Sequence, residues 1–232
     1  MVAPLTIIET DDAQSFCERG TECIASVIRS SITERNRCLL GLSGGKTPAP
    51  IYEALGKEKD IDWSKVWIFL VDDRYIRSDS PHSNQFLLRS TLLRNAPIPD
   101  SQLLFPQTNL EYEACVTEYD QVIGAALSKQ APDLIVLGMG NDGHIASLFP
   151  PVPDEAHRPK NVIATQTEKF DIPKRISVTL PVLTKAKQAL FLLQGKEKKR
   201  VWEDMMGSEE DEKRWPGKGV LERVATTVLM AG

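Results

Sequence analysis

The sequence predicts an α/β fold in which a mostly parallel sheet is covered by helices on both faces. Short continuous apolar runs such as Leu134–Leu137 are typical of strands that are buried on both faces. Between them lie longer segments whose apolar residues recur at the period of an amphipathic helix, as over residues 12–31. Strands that alternate with helices in this way form parallel sheets joined by helical crossovers.

The first half of the chain supplies most of the predicted helices. The helix over 12–31 begins after Asp11 or Asp12, either of which can cap it. Cys38–Leu42 is predicted to be a buried strand, and a helix over 48–55 follows because proline suits a first helical turn. The next predicted elements, in chain order, are strand Val66–Val71, helix 84–94, a short apolar run at 103–105 and helix 111–129.

The second half continues the pattern after strand Leu134–Leu137, which Gly138 closes. The later predicted elements are strands Asn161–Thr165, Arg175–Leu180, Ala189–Leu193 and 225–230, with a helix at 196–206. The proline-rich stretch 150–159 indicates a surface loop. Because no internal repeat or low-complexity linker is evident, we expect a single domain over residues 1–232.

Composition excludes several classes of protein. Lys and Arg number 28 against 32 Asp and Glu, so the net charge of −4 argues against a general nucleic-acid-binding surface. No apolar run is long enough to span a bilayer, and the N-terminus does not have the pattern of a secretory signal. The four cysteines form no C-x-x-C pair, which favours free thiols in a reducing cytoplasm and no bound metal. We expect a cytoplasmic monomer or weak homo-oligomer.

Three predicted strands end in unusual sequences, at Ser43-Gly44-Gly45, Asp72-Asp73-Arg74 and Gly138–His144. Ligands of parallel α/β sheets bind beyond the carboxyl ends of the strands, so these ends are the first indication of function. Residues 138–143 also match the dinucleotide fingerprint G-x-G-x-x-G. We reject a dinucleotide site, because prolines at 150, 151 and 153 leave no room for the long helix that the fingerprint needs.

Ser43, Gly44 and Gly45 lie between a predicted strand and a predicted helix. Adjacent glycines let backbone N–H groups approach an anion, and the N-terminus of the following helix favours negative charge. A phosphate or an oxyanion could therefore bind there. The alternative is a tight turn without a ligand.

Asp72 and Arg74 follow the strand sequence VWIFLV. An aspartate at a strand end can act as a base or orient one, and an arginine beside it can hold a phosphate or carboxylate. The alternative is a surface ion pair of little energetic weight. Asn84, which follows Ser83, either belongs to the cap of the next helix or lines the same site.

Asp142-Gly143-His144 is the most informative tripeptide. His144 is one of three histidines, and the other two, His82 and His157, lie in proline-containing loops that indicate surface positions. Imidazole titrates near neutral pH and so suits general acid–base catalysis. The alternative is a histidine that only hydrogen-bonds a turn, but the position of His144 beyond a glycine-bounded strand end favours function.

Two further segments carry candidate anion-binding cations. Residues 196–200 place four cations at a predicted helix start, where positive charge is unfavourable unless an anion is present. We expect one of these cations to bind a phosphate. Arg175, at the start of a predicted strand, is a second candidate, and a structural pair with Asp171 is an equal alternative.

Together these motifs resemble the 6-phosphogluconolactonase family. The matching segments, in the order of that family, are LSGGKTP at 42–48, VDDRYIRSDSPHSN at 71–84, DLIVLGMGNDGHIASLFP at 133–150, RISVTLP at 175–181 and GKEKKRV at 195–201. The resemblance implies a modified doubly wound sheet, similar to those of glucosamine-6-phosphate deaminase and ribose-5-phosphate isomerase. It also implies hydrolysis of 6-phospho-D-glucono-1,5-lactone to 6-phospho-D-gluconate, in the oxidative pentose phosphate pathway, without metal or cofactor.

The resemblance also implies roles for single residues. His144 would be the general base that activates a water, Asp72 would help to position or polarise that system, and Arg74 would bind substrate. The remaining substrate-binding candidates are the phosphate-holding Gly44, Gly45, Arg175 and Lys198, together with Ser43, Asn84 and Asp142.

Two other classes of function are alternatives. An amino-sugar-phosphate deaminase or isomerase shares the D-G-H loop but carries an acid shortly after it, whereas residues 145–150 contain none. A non-enzymatic sugar-phosphate sensor would carry an upstream helix-turn-helix segment, whereas this sequence begins almost directly with the α/β pattern. Both differences favour the lactonase.

Overall fold

The computed structural model describes residues 3–232 and confirms the predicted fold class. Its strands are β1 (Leu5–Thr10), β2 (Cys38–Leu42), β3 (Val66–Leu70), β4 (Asp72–Arg74), β5 (Leu103–Leu104), β6 (Leu134–Leu137), β7 (Val162–Gln166), β8 (Lys174–Val178), β9 (Gln188–Gln194) and β10 (Ala225–Ala231). Seven of these strands form one parallel sheet in the order β1-β10-β9-β6-β2-β3-β5.

Helices cover both faces of this sheet. Successive residues of a strand point to opposite sides, and the central strands β2 and β6 carry buried residues on both sides. The helices are α1 (Ala13–Arg35), α2 (Ala49–Leu55), α3 (Asn84–Ser90), α4 (Tyr112–Leu127), α5 (Leu180–Thr184), α6 (Lys196–Gly207) and α7 (Pro216–Arg223). Leu40 of β2 is buried in one core with α1 and α2, and Leu39 in a second core with α4, α5 and α6. Within residues 3–232, no helix combines the length and the apolar character that crossing a membrane would need.

The strand order reverses its direction at β2. From β2 the chain moves outward to β3 and β5, and it then returns to β6 on the other side of β2 and continues to β9 and β10. β2 and β6 are in register only over Leu40–Gly41 and Leu134–Ile135. The loops after β2 and β6 leave the sheet in opposite directions, so a crevice opens between them at the carboxyl ends of the strands.

The prediction was wrong about which strands share a sheet. β7 and β8, expected in the main sheet, pair with β4 in a separate three-stranded antiparallel sheet. β4 was not predicted, since Asp72–Arg74 was expected to lie beyond the end of a strand. Its polar sequence has no strand pattern, and its pairing with β8 makes it a strand. The predicted strand Arg175–Leu180 also ends early, at Val178, because α5 begins at Leu180 with a proline in its first turn.

Other elements differ in extent or were not predicted. β1 was missed because it is a mostly exposed edge strand, and α7 because it lies in a polar segment. The predicted helix 84–94 ends at Ser90 and continues as a short 3₁₀ turn. Of the two candidate caps of α1, Asp12 is the one in place, since its carboxylate accepts the N–H of Ser15 at 2.7 Å.

A buried carboxylate joins elements at the amino ends of the strands. Asp133, just before β6, is 1% exposed. One of its oxygens accepts hydrogen bonds from Arg35 at 2.9 Å and Lys187 at 2.8 Å. The other accepts from the backbone N–H of Leu39 at 2.8 Å and from Gln130 at 3.0 Å. Asp133 therefore ties α1, β2 and the approach to β9 to β6.

Replacing Asp133 is expected to destabilise the fold strongly. Asp133→Asn leaves two cations facing a neutral amide and puts an N–H₂ group against existing donors, which costs about 3 kcal/mol. Urea unfolding followed by circular dichroism measures the loss. The control is Asp100→Asn, whose side chain is 88% exposed and which should lose less than about 0.5 kcal/mol. Equal losses in the two variants would contradict this account of Asp133.

Candidate active site

All ten site residues proposed from the sequence line one cavity of about 570 Å³. It lies at the carboxyl ends of β2 and β6, where the strand order reverses. The main sheet supplies the loops after β2 and β6, and the small sheet supplies Asp72, Arg74 and Arg175. Tertiary structure thus brings together residues from segments far apart in the sequence.

The loop after β2 presents unpaired backbone donors to this cavity. The N–H groups of residues 43–47 donate to no acceptor within residues 3–232. Gly44 must be a glycine, because a Cβ there would lie 1.8 Å from Oδ1 of Asn84. Free N–H groups ahead of a helix form a site for an anion, which favours the ligand-binding interpretation of this loop over a plain turn.

Asp72 is buried at the start of β4, on the cavity wall. Its Oδ2 accepts the hydroxyl of Ser147 at 2.6 Å, and its backbone carbonyl accepts Nδ2 of Asn84 at 2.8 Å. These contacts fix the strand end against the loop that follows His144. The imidazole of His144 is hydrogen-bonded to a different carboxylate, that of Asp142.

Asp73 holds β4 in place from the other side. Its Oδ1 accepts the backbone N–H of Asn84 at 2.7 Å and that of Arg74 at 2.8 Å, and its Oδ2 accepts the hydroxyl of Ser83 at 3.0 Å. Burial raises the pKa of Asp73 to about 6, although the two backbone N–H groups oppose that rise. Because side chains alternate along a strand, Asp73 in the protein interior leaves Asp72 and Arg74 facing the cavity.

Arg74 and Arg175 lie opposite each other in the β4–β8 pairing. Their guanidinium groups donate to the backbone carbonyls of His82 and Ile172, and Nε of Arg74 is buried without an acceptor. Burial, and the neighbouring Arg74 cation, lower the pKa of Arg175. The alternative pair of Arg175 with Asp171 was wrong, because Arg175 bonds Ile172 instead. Within residues 3–232 these two adjacent cations bond only to carbonyls, an arrangement that favours an anion.

His144 and Asp142 form a hydrogen-bonded pair on the loop after β6. Nδ1 of His144 lies 2.5 Å from Oδ1 of Asp142, whose Oδ2 accepts Nζ of Lys169 at 2.8 Å. A carboxylate can only accept, so Nδ1 carries the proton and Nε2 is the basic nitrogen. Burial alone would raise the pKa of Asp142, but the hydrogen bonds from His144 and Lys169 outweigh it and hold that pKa below its usual range.

The imidazole is also fixed by apolar contacts. Its ring lies 4.7 Å from that of Phe149 and 5.8 Å from that of Phe170, measured between centroids. A Cβ at Gly140 would lie 2.1 Å from the imidazole Cε1, so only glycine leaves room for the ring. The His144 ring is therefore held in one orientation, as a proton-transfer group requires.

Lys198 lies in the first turn of α6 and points its ammonium toward the same loop. Nζ donates to Oδ1 of Asn141 at 2.6 Å, and burial lowers the pKa of the ammonium group. Lys46 is exposed but also lines the cavity. Within residues 3–232, no three His, Cys, Asp or Glu side chains cluster as metal ligands would.

Sequence reasoning missed Lys169 and Phe170, which reach the cavity from the connection between β7 and β8. No motif marks them, and only the folding of this connection over His144 places them there. His157 was expected at the surface, but it is only partly exposed and its Nδ1 lies 3.3 Å from Glu212. His82 is exposed, as expected.

Known proteins resemble the chain along its whole length. A family model described as glucosamine-6-phosphate isomerases/6-phosphogluconolactonase matches residues 11–229. A Dictyostelium discoideum protein named "Probable 6-phosphogluconolactonase" is 36% identical over 233 residues, which cover 99% of each chain. A Synechocystis 6-phosphogluconolactonase is 32% identical over 211 residues, which cover 88% of this chain and 86% of the relative.

Solved structures give the same result for the fold. The crystal structure of a 6-phosphogluconolactonase from Thermotoga maritima matches with a TM-score of 0.85 and 28% identity, covering 98% of this chain and 99% of that one. The 6-phosphogluconolactonase from Plasmodium vivax matches with a TM-score of 0.90 and 28% identity, covering 97% of this chain and 89% of that one.

The arginine pair is expected to bind inorganic phosphate. Arg175→Met removes a charged donor, and because such a hydrogen bond is worth about 1.5–3 kcal/mol, the Kd for phosphate should rise about 10-fold or more. Isothermal titration calorimetry measures the Kd, with circular dichroism as a check on folding. Arg89→Met, an exposed arginine of α3 outside the cavity, should bind as the unmodified protein does. An unchanged Kd in a folded Arg175→Met variant would count against the anion site.

Proposed function

The chain belongs to the glucosamine-6-phosphate isomerase/6-phosphogluconolactonase family, and we propose that it hydrolyses 6-phospho-D-glucono-1,5-lactone to 6-phospho-D-gluconate. The relatives described above carry the name of that activity. One observation in the cavity supports it most: a histidine with a free basic nitrogen lies in the same cavity as two guanidinium groups that bond only to carbonyls. Ester hydrolysis of a phosphorylated lactone needs both a base and a phosphate site.

In this proposal His144 is the general base. Its Nε2 takes a proton from a water molecule while the water oxygen forms a bond to the lactone carbonyl carbon. The tetrahedral intermediate then breaks the bond between that carbon and the ring oxygen, and the imidazolium returns its proton to the ring oxygen. The carboxylic acid that results loses a proton to solvent. Asp142 holds the ring and stabilises the imidazolium between the two transfers.

The cations of the cavity bind the phosphate of the substrate. A phosphate monoester carries a charge of about −1.5 to −2 at neutral pH, which matches Arg74 and Arg175. The N–H groups of residues 43–47 and the ammonium of Lys198 add further donors. Those of the backbone N–H groups and Arg74 that do not bind the phosphate stabilise the oxyanion of the tetrahedral intermediate. Asp72 accepts hydrogen bonds from Ser147 and Asn84, and so holds the cavity wall at the start of β4 against the loop that follows His144.

The lactonase is favoured over the deaminase or isomerase of the same family. Residues 145–150 contain no acid, and Ser147 directs its hydroxyl to Asp72. Aldose–ketose chemistry needs an additional proton relay beside the histidine, and this loop does not supply one. A cytoplasmic, single-domain monomer or weak homo-oligomer that works without metal or cofactor stays a prediction from the sequence.

Replacing His144 is expected to abolish most of the catalysis. His144→Gln should lower kcat by about 10²- to 10⁴-fold, because that is the usual contribution of a general base. The assay supplies freshly made lactone and measures acid release above the spontaneous rate. His82→Gln, which changes an exposed histidine, should keep full activity. Normal turnover by His144→Gln would remove this residue from the mechanism, and ammonia release from glucosamine 6-phosphate would support the deaminase instead.

Lys198 is expected to act on substrate binding. Lys198→Ala should raise KM for the phosphorylated lactone about 10-fold with little change in kcat, because one charged contact to the phosphate is lost. Hydrolysis of unphosphorylated D-glucono-1,5-lactone should be unaffected by the same change. Lys196→Ala is the matched control, as an exposed lysine at the same helix start that does not line the cavity. If KM is unchanged, Lys198 is not a phosphate ligand.

A further inference from the structure

Lys169 lines the cavity, although no motif of the sequence points to it. Its Nζ lies 2.8 Å from Oδ2 of Asp142, and the other oxygen of that carboxylate lies 2.5 Å from Nδ1 of His144. Lys169, Asp142 and His144 therefore form a continuous chain of hydrogen bonds. The free nitrogen of the imidazole, Nε2, stands at the end of this chain.

The backbone holds Lys169 in this position. A hydrogen bond joins the two ends of the connection between β7 and β8: the N–H of Thr167 donates to the carbonyl of Pro173 at 3.1 Å. The N–H of Lys169 donates to the hydroxyl of Thr167 at 3.2 Å. The adjacent Phe170 packs its ring against the imidazole of His144. The contact of Lys169 is therefore part of an ordered turn, although its side chain is 58% exposed.

We propose that Lys169 is a positioning residue: its ammonium holds the second oxygen of Asp142, so that this carboxylate shares its charge between Lys169 and His144. This inference rests on the proposed function, in which neutral His144 is the base. A carboxylate beside an imidazole favours the imidazolium form, which cannot accept a proton. An ammonium on the second carboxylate oxygen opposes that effect.

Other charged groups also act on His144. Those that line the same cavity or touch the Asp142 loop are Lys46, Asp72, Arg74, Arg175, Lys198, Arg214 and Glu197, which accepts a hydrogen bond from Asn141. Arg214 donates to the backbone carbonyl of Asp142 at 3.0 Å and stacks on Trp215, so it holds the loop rather than the carboxylate. Asp72 is bonded to Ser147 and Asn84. Lys169 is the cation in direct contact with the Asp142 carboxylate.

The first test is the pH dependence of kcat/KM for lactone hydrolysis. In Lys169→Met the acid limb of the profile should move to higher pH by about half a unit to one unit, because the imidazole protonates more readily without the ammonium. Lys169→Arg should keep the limb of the unmodified enzyme, since it restores the cation. Lys129→Met removes an exposed lysine that does not line the cavity and should leave the profile unchanged. A limb that stays in place in Lys169→Met would overturn the inference.

The second test does not depend on activity. The chain has three histidines, so the ring resonances of His144 can be followed by NMR during a pH titration and assigned with His144→Gln. Lys169→Met should move the His144 titration midpoint upward, and the same change made together with Asp142→Asn should move it much less, because the shared carboxylate is gone. An equal shift in both backgrounds would show a direct charge effect and overturn the positioning role. If the unmodified protein shows no lactonase activity but Lys169→Met still moves the His144 titration midpoint, the proposed function is contradicted and the inference about Lys169 is not.

Discussion

The parallel pairing of β2 with β6 is the constraint on which the rest of the site depends. The strand order reverses there, so the loops at the carboxyl ends diverge and a cavity opens between them. The short register of this pair keeps the two loops close enough to face one another. One loop carries backbone donors, and the other carries the histidine and its carboxylate. Sheet topology therefore places the backbone donors of one loop and the histidine of the other in one cavity.

The small antiparallel sheet adds the second half of the site at an electrostatic cost. Pairing β4 with β8 places Arg74 against Arg175, and neither guanidinium is neutralised by a carboxylate hydrogen bond. Like charges on residues opposite each other in a sheet are unfavourable, although Asp72 and Asp73 offset part of this at Arg175, and a bound phosphate would relieve the rest. The hydrogen bonds accepted by Asp73 from the backbone N–H groups of Asn84 and Arg74 fix β4 to the start of α3.

The surroundings of the imidazole follow the same principle of fixed polar groups. Asp142, Gly140 and two aromatic rings leave the His144 side chain one orientation, and the β7–β8 connection covers it. A group held in this way needs little reorganisation when a proton moves. The connection that covers the histidine also carries Lys169, whose ammonium contacts the Asp142 carboxylate. One short segment therefore both covers the imidazole and places a charge beside its partner.

The sequence by itself determined the α/β class, most of the helices and buried strands, and ten of the residues that line the cavity. Buried strands appear in the sequence as apolar runs, and polar residues directly after such runs mark the edge where parallel sheets bind ligands. Arg175 and Lys198 do not directly follow a strand, and they were chosen for their charge and for the resemblance to a known family. Tertiary structure alone decided which strands pair. It made a strand of Asp72–Arg74, set Arg74 beside Arg175, and brought Lys169 to the carboxylate of Asp142. These are contacts between segments distant in the chain, and local periodicity carries no information about them.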